Sequence, residues 1–596
     1  MKIIHAVSFV VQRAYRAAGI IFVLYLIGII LLAFGPIINI AFFKAAIDSI
    51  TNNHTFLGMT LLGIVVMRFG FEVLQNTLSK ANEYLWNMIE VKQALYNVTA
   101  FVDKLATLDL ACIENPEVYD KIWRSFNRLA WQLRYYLDAS TKLLGKTIEL
   151  SLSIGIFLFA SPLSALFIVI ANIVPILIRG KLGDLSFNIY KADSELRRKY
   201  EYTSSLVTNR EVIVELKQYQ GFQFAKKKLV EIYDSFGNKQ KQLYKKSWIV
   251  FSYVDLLPIA AIFFFLITLA LQLEKHQITT GTFVFLFTNI FVFNSALAQL
   301  GNYLGAVISE SSSMQDALDY YQLQPKIQFP LLSQSDEKKL LDKLQHPTIE
   351  IKNLSYQYPN APQKALSHIN LTIPYGQNIA LIGVNGAGKS TLVKLLLRVY
   401  DPTEGEIFMN GINLKEIPEK IIFKTYSTLF QSFGKFYLTI RENLELAAGK
   451  KLSDDEYIEA LKKSHSWAFI KEFPETLDQQ LGPTYTNGID LSGGQWQQLA
   501  IGKTLIRKTP VLILDEPTSA VDAQAEMEIF DRLQKETKDS TVIFISHRFS
   551  TIKDAERIIV LDNGGIIEDG NHKELMQQEG KYANLYTLQA KRYMRV

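Results

Sequence analysis

Six long apolar runs crowd the first half of the chain, at 19–43, 56–75, 143–160, 162–178, 248–273 and 281–306. Crossing about 30 Å of hydrocarbon takes roughly 20 consecutive apolar residues in helical form. Backbone groups find no water there, so an isolated run of this kind must pair its own N–H and C=O groups as a helix. Each run is therefore expected to span a membrane. The first is too long for a cleaved secretion signal and lacks a small-residue cleavage site, so it is expected to stay in place. Whole-chain averages conceal this division, because the last 250 or so residues read as a charged α/β enzyme. The 63 basic and 58 acidic residues leave a net charge of +5. That is too weak and too dispersed to neutralise phosphates, so no nucleic-acid partner is expected. A single cysteine, Cys112, excludes an intramolecular disulfide framework and a cysteine-rich zinc site.

Short loops follow the first, third and fifth runs, whereas the second and third, and the fourth and fifth, are separated by long arms at about 76–142 and 179–247. The arms and the amino terminus (Lys2, Arg13, Arg16) carry the positive charge. The positive-inside rule then puts both arms, both termini and the last domain in the cytoplasm of a multi-pass protein. The expected layout is a six-helix membrane domain over 1–321, a polar linker over 322–347 and an α/β phosphate-loop ATPase domain over 348–596. Each arm reads as a helical pair with an interruption. In the first, Asn115-Pro116 points to a short helix from about Glu117 lying across the tip, since proline disfavours helix in the residue before it but suits a first turn. In the second, Thr208-Asn209 is an N-cap pair. The tips are expected to touch the ATPase domain.

Charge inside a span is expensive. Arg68 and Glu72 stand four apart and are expected to pair on one helix face. Asp255, Asn289, Asn294, Gln299 and Asn302 either line a cavity for cargo or hydrogen-bond between helices.

The chemistry is concentrated at Gly383-Val384-Asn385-Gly386-Ala387-Gly388-Lys389-Ser390-Thr391. An apolar strand leads in and a helical stretch leads out, which is the required context for the G-x-x-x-x-G-K-S/T pattern. Backbone N–H groups wrap phosphates, Lys389 reaches the β and γ phosphates, and Ser390 is placed to ligate Mg²⁺. A second apolar strand, Val511-Leu512-Ile513-Leu514, ends in Asp515-Glu516. Asp515 is the expected Mg²⁺ partner and Glu516 the expected general base or water-orienting group.

Twenty residues before that strand stands Leu491-Ser492-Gly493-Gly494-Gln495, and here the chain resembles the ATP-binding cassette (ABC) family. Ser519-Ala520-Val521-Asp522 is similar to the family's D-loop and His547 to its switch histidine. Gln431 resembles its Q-loop glutamine, a Mg²⁺ ligand, and Tyr358 its adenine-stacking tyrosine. The resemblance implies ATP and Mg²⁺ as cofactors and a catalytic set of Glu516, His547 and Lys389. It also implies a dimer in which Ser492, Gly493, Gly494 and Gln495 of one cassette face the phosphate loop of the other, with Asp522 among the nucleotide-binding residues. One cassette and six spans make half of an ABC exporter, expected to pair with a second copy of itself or with another half-transporter.

Two features narrow the likeness to peptide exporters of the lantibiotic type. They are Leu491 to Gln497, where Trp496 stands at a usually basic position, and Glu114 to Lys121 at the first arm's tip. Residues 483–490 depart from the exporter pattern, which puts coupling details apart from the family norm. With about eighteen residues before the first span, no fused peptidase and no cargo trimming are expected. The expected function is ATP-driven export of a peptide, with a drug or lipid amphiphile as the alternative cargo. An ATP-gated channel or regulator is the alternative activity. The expected site is a bacterial plasma membrane.

Overall fold

The computed structural model describes residues 2–51, 58–163, 165–175, 178, 194–359, 361–516, 540–546 and 552–593. The chain forms two compact units. One comprises Met1–Leu108 and Ile113–Gln324, and the other Asp109–Cys112 and Pro325–Val596.

The first unit is helical: α1 (Lys2–Ala18), α2 (Ile20–Ala33), α3 (Gly35–Thr51), α4 (Leu61–Leu105), then α6 (Pro116–Ala160) and α7 (Ala165–Pro175). It continues with α8 (Ser194–Leu206), α9 (Arg210–Gln218), α10 (Phe222–Val254), α11 (Leu256–Glu274) and α12 (Thr280–Gln322). The four-residue α5 (Leu110–Ile113) begins in the other unit. Among the described residues, five stretches are long and apolar enough to cross a bilayer: Ile20–Thr51, Leu61–Leu105, Gln132–Ala160, Phe222–Glu274 and Thr280–Gln322. The remaining apolar run is helical over Ala165–Pro175, and its continuation through 179–193 lies outside the described residues. Large apolar side chains such as Leu62, Phe69, Phe159 and Phe263 face outward, as a hydrocarbon solvent allows and water does not. The protein is a multi-pass membrane protein.

Helices α4 and α6 hold 45 residues each. At 1.5 Å per residue that is about 65 Å, roughly twice the hydrocarbon thickness, so both must run well past a bilayer. Asn115 caps α6, its Oδ1 accepting from Glu117 N at 2.9 Å, with Pro116 in the first turn as the sequence places it. The helix it starts is not short, however, because no proline or glycine interrupts it before Gly145. The short helix is α5, ahead of the proline. In the second arm the break falls where Thr208-Asn209 places it, between α8 and α9.

Some of the buried polar groups in this unit are satisfied between helices. Arg13 of α1 is 6% exposed; its Nε donates to Asn97 Oδ1 of α4 and its Nη2 to the Tyr321 hydroxyl of α12, both at 2.9 Å. The rings of Phe9, Tyr96 and Tyr321 surround the guanidinium. Asn289 is fully buried and donates to the Ser153 carbonyl, so at this position interhelical bonding holds. The Arg68–Glu72 pairing is not formed: Arg68 lies over the Phe43 ring, 3.8 Å from its centroid, and Glu72 is exposed. An arginine four residues before an acid is the weaker orientation on a helix, and the aromatic face competes. Helix α6 carries two ion pairs of its own among the described residues, Lys142–Asp138 at 2.9 Å and Lys146–Glu149 at 2.6 Å, the latter with the Glu149 side chain 6% exposed.

The second unit contains two sheets. A four-stranded antiparallel sheet has the order β2-β1-β4-β5, from β1 (Ile349–Tyr356), β2 (Leu366–Ile373), β4 (Glu404–Met409) and β5 (Ile412–Asn413). A six-stranded sheet has the order β10-β9-β3-β8-β7-β6, from β3 (Asn378–Ile382), β6 (Tyr426–Leu429), β7 (Val511–Asp515), β8 (Thr541–Ile545), β9 (Arg557–Asp562) and β10 (Gly565–Gly570). Strands β6, β7, β8, β3 and β9 run parallel, and β7 and β8 are buried throughout, which explains their unbroken apolar sequences. A separate helical core gathers Tyr457, Leu461, Leu499 and Trp496. Trp496 is 1% exposed there, close to the Tyr437 ring, which accounts for an aromatic residue where a base is usual.

Helix Gly493–Leu505 carries Lys503 at its far end. There the ammonium donates to the Gly434 carbonyl at 3.3 Å and lies over the Phe436 ring. Burial pushes this lysine down to about 8. The folded chain thus releases its proton before the unfolded chain does, so this site adds stability as pH rises from about 8 to 10.5 and costs stability below. Lys503→Met is expected to raise the unfolding midpoint of the full chain at pH 7 by about 3 °C. The gain should shrink to nothing as the pH is raised through that window. A gain that does not change with pH would remove the buried ammonium as its cause.

Candidate functional site

The carboxyl ends of β3, β7 and β6 lie on one edge of the parallel sheet, where α/β folds bind their ligands. From β3 the chain enters the phosphate loop. Gly383 has no room for a side chain, since a Cβ would sit 2.4 Å from the Leu561 carbonyl oxygen. Gly388 has φ +102°, and a Cβ there would meet the Ala365 carbonyl at 2.7 Å and Leu366 at 2.6 Å. Only glycine satisfies both conditions. The loop so formed opens helix Lys389–Leu396.

Lys389 is 8% exposed, and its Nζ donates to the carbonyls of Gly383 at 2.7 Å and Val384 at 3.2 Å. Burial pushes its pKa below the usual lysine value, against the opposing pull of Asp515 and Glu516. Asp515 is 7% exposed, and its Oδ2 lies 3.5 Å from Ser390 Oγ. Burial, then the charge of Glu516, raise Asp515, while Lys389 and Ser390 lower it. Ser390 and Asp515 thus lie side by side.

Glu516 is held by its backbone and its side chain. Its N–H donates to the Ile545 carbonyl at 2.8 Å, its carbonyl accepts from Gln497 Nε2 at 3.1 Å, and its Oε2 accepts from Gln431 Nε2 at 2.9 Å. Its φ of +51° is unusual for a residue with a side chain and marks a backbone fixed by its surroundings. Gln497, 2% exposed, was not among the sequence expectations. Its signal was a second glutamine, two residues after Gln495, on the buried side of the same helix. Gln431 meets the site through this bond to Glu516.

Tyr358 is half-buried, with its hydroxyl 3.2 Å from Thr391 Oγ1 in the first turn of the phosphate-loop helix and its ring edge-on to Tyr356 and Tyr400. Asn385 and Gly386 are exposed in the loop, and Ala387 is buried beneath it. Ser492 caps helix Gly493–Leu505 in a reciprocal box. Its hydroxyl accepts from Gln495 N at 3.3 Å, and Gln495 Oε1 accepts from Ser492 N at 2.9 Å. Ser492 and Gly493 are exposed, so the first-turn N–H groups form an accessible anion-binding surface. Among the described residues no hydrogen bond joins this surface to the chain's own phosphate loop. Asp522 and His547 lie outside the described residues.

Gly388→Ala should abolish ATP binding in a filter assay with labelled nucleotide. Gly386→Ala shares the strain of a positive φ (+84°) but adds no clash, since no atom lies within 4 Å of the added carbon, and so should cost less. Equal losses would show that clash at Gly388 is not what shapes the loop.

A family model described as ABC transporter matches residues 366–519. The subtilin transport ATP-binding protein SpaT of Bacillus subtilis is 27% identical over 546 residues, 91% of this chain and 87% of that one. An ATP-dependent lipid A-core flippase of Photobacterium profundum is 30% identical over 430 residues, 72% of this chain and 71% of that one. A flippase of the same description from Haemophilus influenzae (strain 86-028NP) is 42% identical over 241 residues, 40% of each chain. The chain also spans only about half (52%) of the matched flippases of Vibrio vulnificus. Among solved structures, a bacterial Atm1-family ABC exporter with ATP bound superposes with a TM-score of 0.76 at 21% identity, covering 98% of this chain and all of that one. The chain therefore belongs to the ABC transporter family, with the fold of an ABC exporter, and is an ATP hydrolase coupled to transmembrane transport.

Proposed function

We propose that the chain is one half of an ATP-driven exporter, acting as a homodimer by alternating access in a bacterial plasma membrane, and that its cargo is a peptide in modified form. Both termini and the ATPase unit then lie in the cytoplasm. The likeness to SpaT carries the cargo assignment, because 546 matched residues exceed the ATPase unit and so include the membrane helices. The 430-residue match to a lipid A-core flippase favours a second reading, an amphiphilic lipid as cargo.

On this reading the phosphate loop binds the ATP tail, and Lys389 exchanges its two loop carbonyls for β and γ phosphate oxygens. Tyr358 stacks on adenine. Ser390 and Asp515 offer hard oxygen donors 3.5 Å apart, a set that fits Mg²⁺, with Gln431 the further donor. Such an ion supplies charge neutralisation at the phosphates. Glu516, fixed by Gln431, Gln497 and the Ile545 carbonyl, orients the attacking water. His547 is assigned to the γ phosphate. Ser492 of the partner subunit, with the N–H groups behind it, closes over the same nucleotide, and Asp522 lies at that seam. Closure stabilises one state of the transporter only to the extent that ATP binds it better than the open one. Hydrolysis removes the γ phosphate contacts and returns the cavity to the cytoplasm.

Glu516→Gln should lower ATP hydrolysis by about 100-fold or more while leaving ATP binding intact. Undiminished hydrolysis would strip Glu516 of its role. Stimulation of the reconstituted full chain by leader-bearing peptides and not by lipid A-type amphiphiles would support the peptide reading; the reverse would establish the second.

A further inference from the structure

Three peptide bonds join the two compact units: those after Leu108, Cys112 and Gln324. Between the first two lies the tip segment Asp109–Cys112, and directly after the third comes the stretch that follows α12. One carboxylate ties these stretches together. Asp109 is 4% exposed. Its Oδ1 accepts from Cys112 N at 2.7 Å, fixing the turn of α5, and its Oδ2 accepts from Ile327 N at 3.1 Å and from Lys326 N. A buried carboxylate with three backbone donors is held in one place.

The other side of the same stretch is held by Arg398, whose side chain is 4% exposed. Its Nη2 donates to the Gln328 carbonyl at 3.1 Å, and its guanidinium lies 4.5 Å from the Phe329 ring centroid. Nη1 donates to the Lys415 carbonyl and Nε pairs with Asp401 at 3.0 Å. Arg398 stands two residues past the end of the phosphate-loop helix Lys389–Leu396, with φ +50°. Residues 326–329 are therefore clamped between an anion from the arm tip and a cation attached to the ATP site. Within the helical unit the same two strands of chain are already stitched. Tyr320 donates to the Phe101 carbonyl at 2.8 Å and Lys104 to the Leu323 carbonyl at 2.7 Å.

We propose that Asp109 is a coupling residue: with Arg398 it fastens the exit of α12 and the first arm's tip to the phosphate-loop helix, so that nucleotide-driven closure moves both together. This rests on the alternating-access reading above. Asp109 touches neither nucleotide nor cargo and acts by position. Asp109→Asn keeps the shape but loses the charge and leaves one acceptor oxygen for N–H donors on two sides, so the clamp weakens.

The test is hydrogen exchange by mass spectrometry on the full chain in nanodiscs, with and without ATP and vanadate. In the wild type, trapping should protect the phosphate loop and alter exchange at the outer ends of α4 and α12. In Asp109→Asn, amides 326 and 327 should exchange faster, phosphate-loop protection should persist, and the outer-end response should be lost. Arg398→Lys, which keeps the charge but not the fork and the stack, should behave alike. An outer-end response in Asp109→Asn equal to the wild type overturns the coupling role, as does loss of phosphate-loop protection alongside it. No outer-end response in the wild type itself overturns the alternating-access reading together with this one.

Discussion

An ammonium group buried in a loop with no space for side chains is the constraint around which the ATPase unit is arranged. Lys389 can be sheltered from water only if nearby atoms replace its hydration, and the carbonyls of Gly383 and Val384 do so. For those carbonyls to turn inward the loop must pass within contact of Leu561 and Ala365, which excludes a Cβ at Gly383 and Gly388. The counter-charges come from β7, two places along the sheet, where Asp515 and Glu516 end a strand buried on both faces. Glu516 in turn depends on Gln431 from the end of β6 and Gln497 from the helix begun by Ser492. A shift in any of these strands would be felt at one buried charge.

In the helical unit the solvent is different and the rule is the same. Many large apolar side chains face outward, while inward polar groups such as Arg13 and Asn289 find partners on other helices. Arg13 illustrates the balance. Its charge is paired with neutral oxygens and three aromatic rings from three helices, so an amino-terminal helix is bound to α4 and α12 by a group that would be costly if any partner were missing.

Much of the ATP site was legible in the sequence because its chemistry leaves local marks. Glycines at required positions, a lysine at a helix start and acids at the end of an apolar strand each follow from backbone geometry within a few residues. The membrane character was legible because a hydrocarbon solvent demands uninterrupted apolar length. What escaped notice depends on contacts far apart in sequence. Arg13 meets Tyr321, Asp109 meets Ile327, and Gln497 meets Glu516 only after the chain has folded. The expectation of a short helix after Asn115 failed for a related reason: a proline that starts a helix says nothing of where the helix stops. The Arg68–Glu72 pairing failed because spacing gives proximity, whereas the choice of partner was decided by an aromatic ring from another helix.

The exposed amino end of helix Gly493–Leu505 gives the proposed dimer its physical rationale, since an anion-binding surface unused by its own phosphate loop is suited to a nucleotide held by a second copy. The most direct measurement places cysteines at Asn385 and Gly493 in the full chain; the native Cys112 is buried and does not interfere. Oxidation in the presence of ATP should link one protomer to its partner through these positions, and omission of ATP should abolish the link. A dimer that hydrolyses ATP yet never forms this cross-link would contradict a shared nucleotide site.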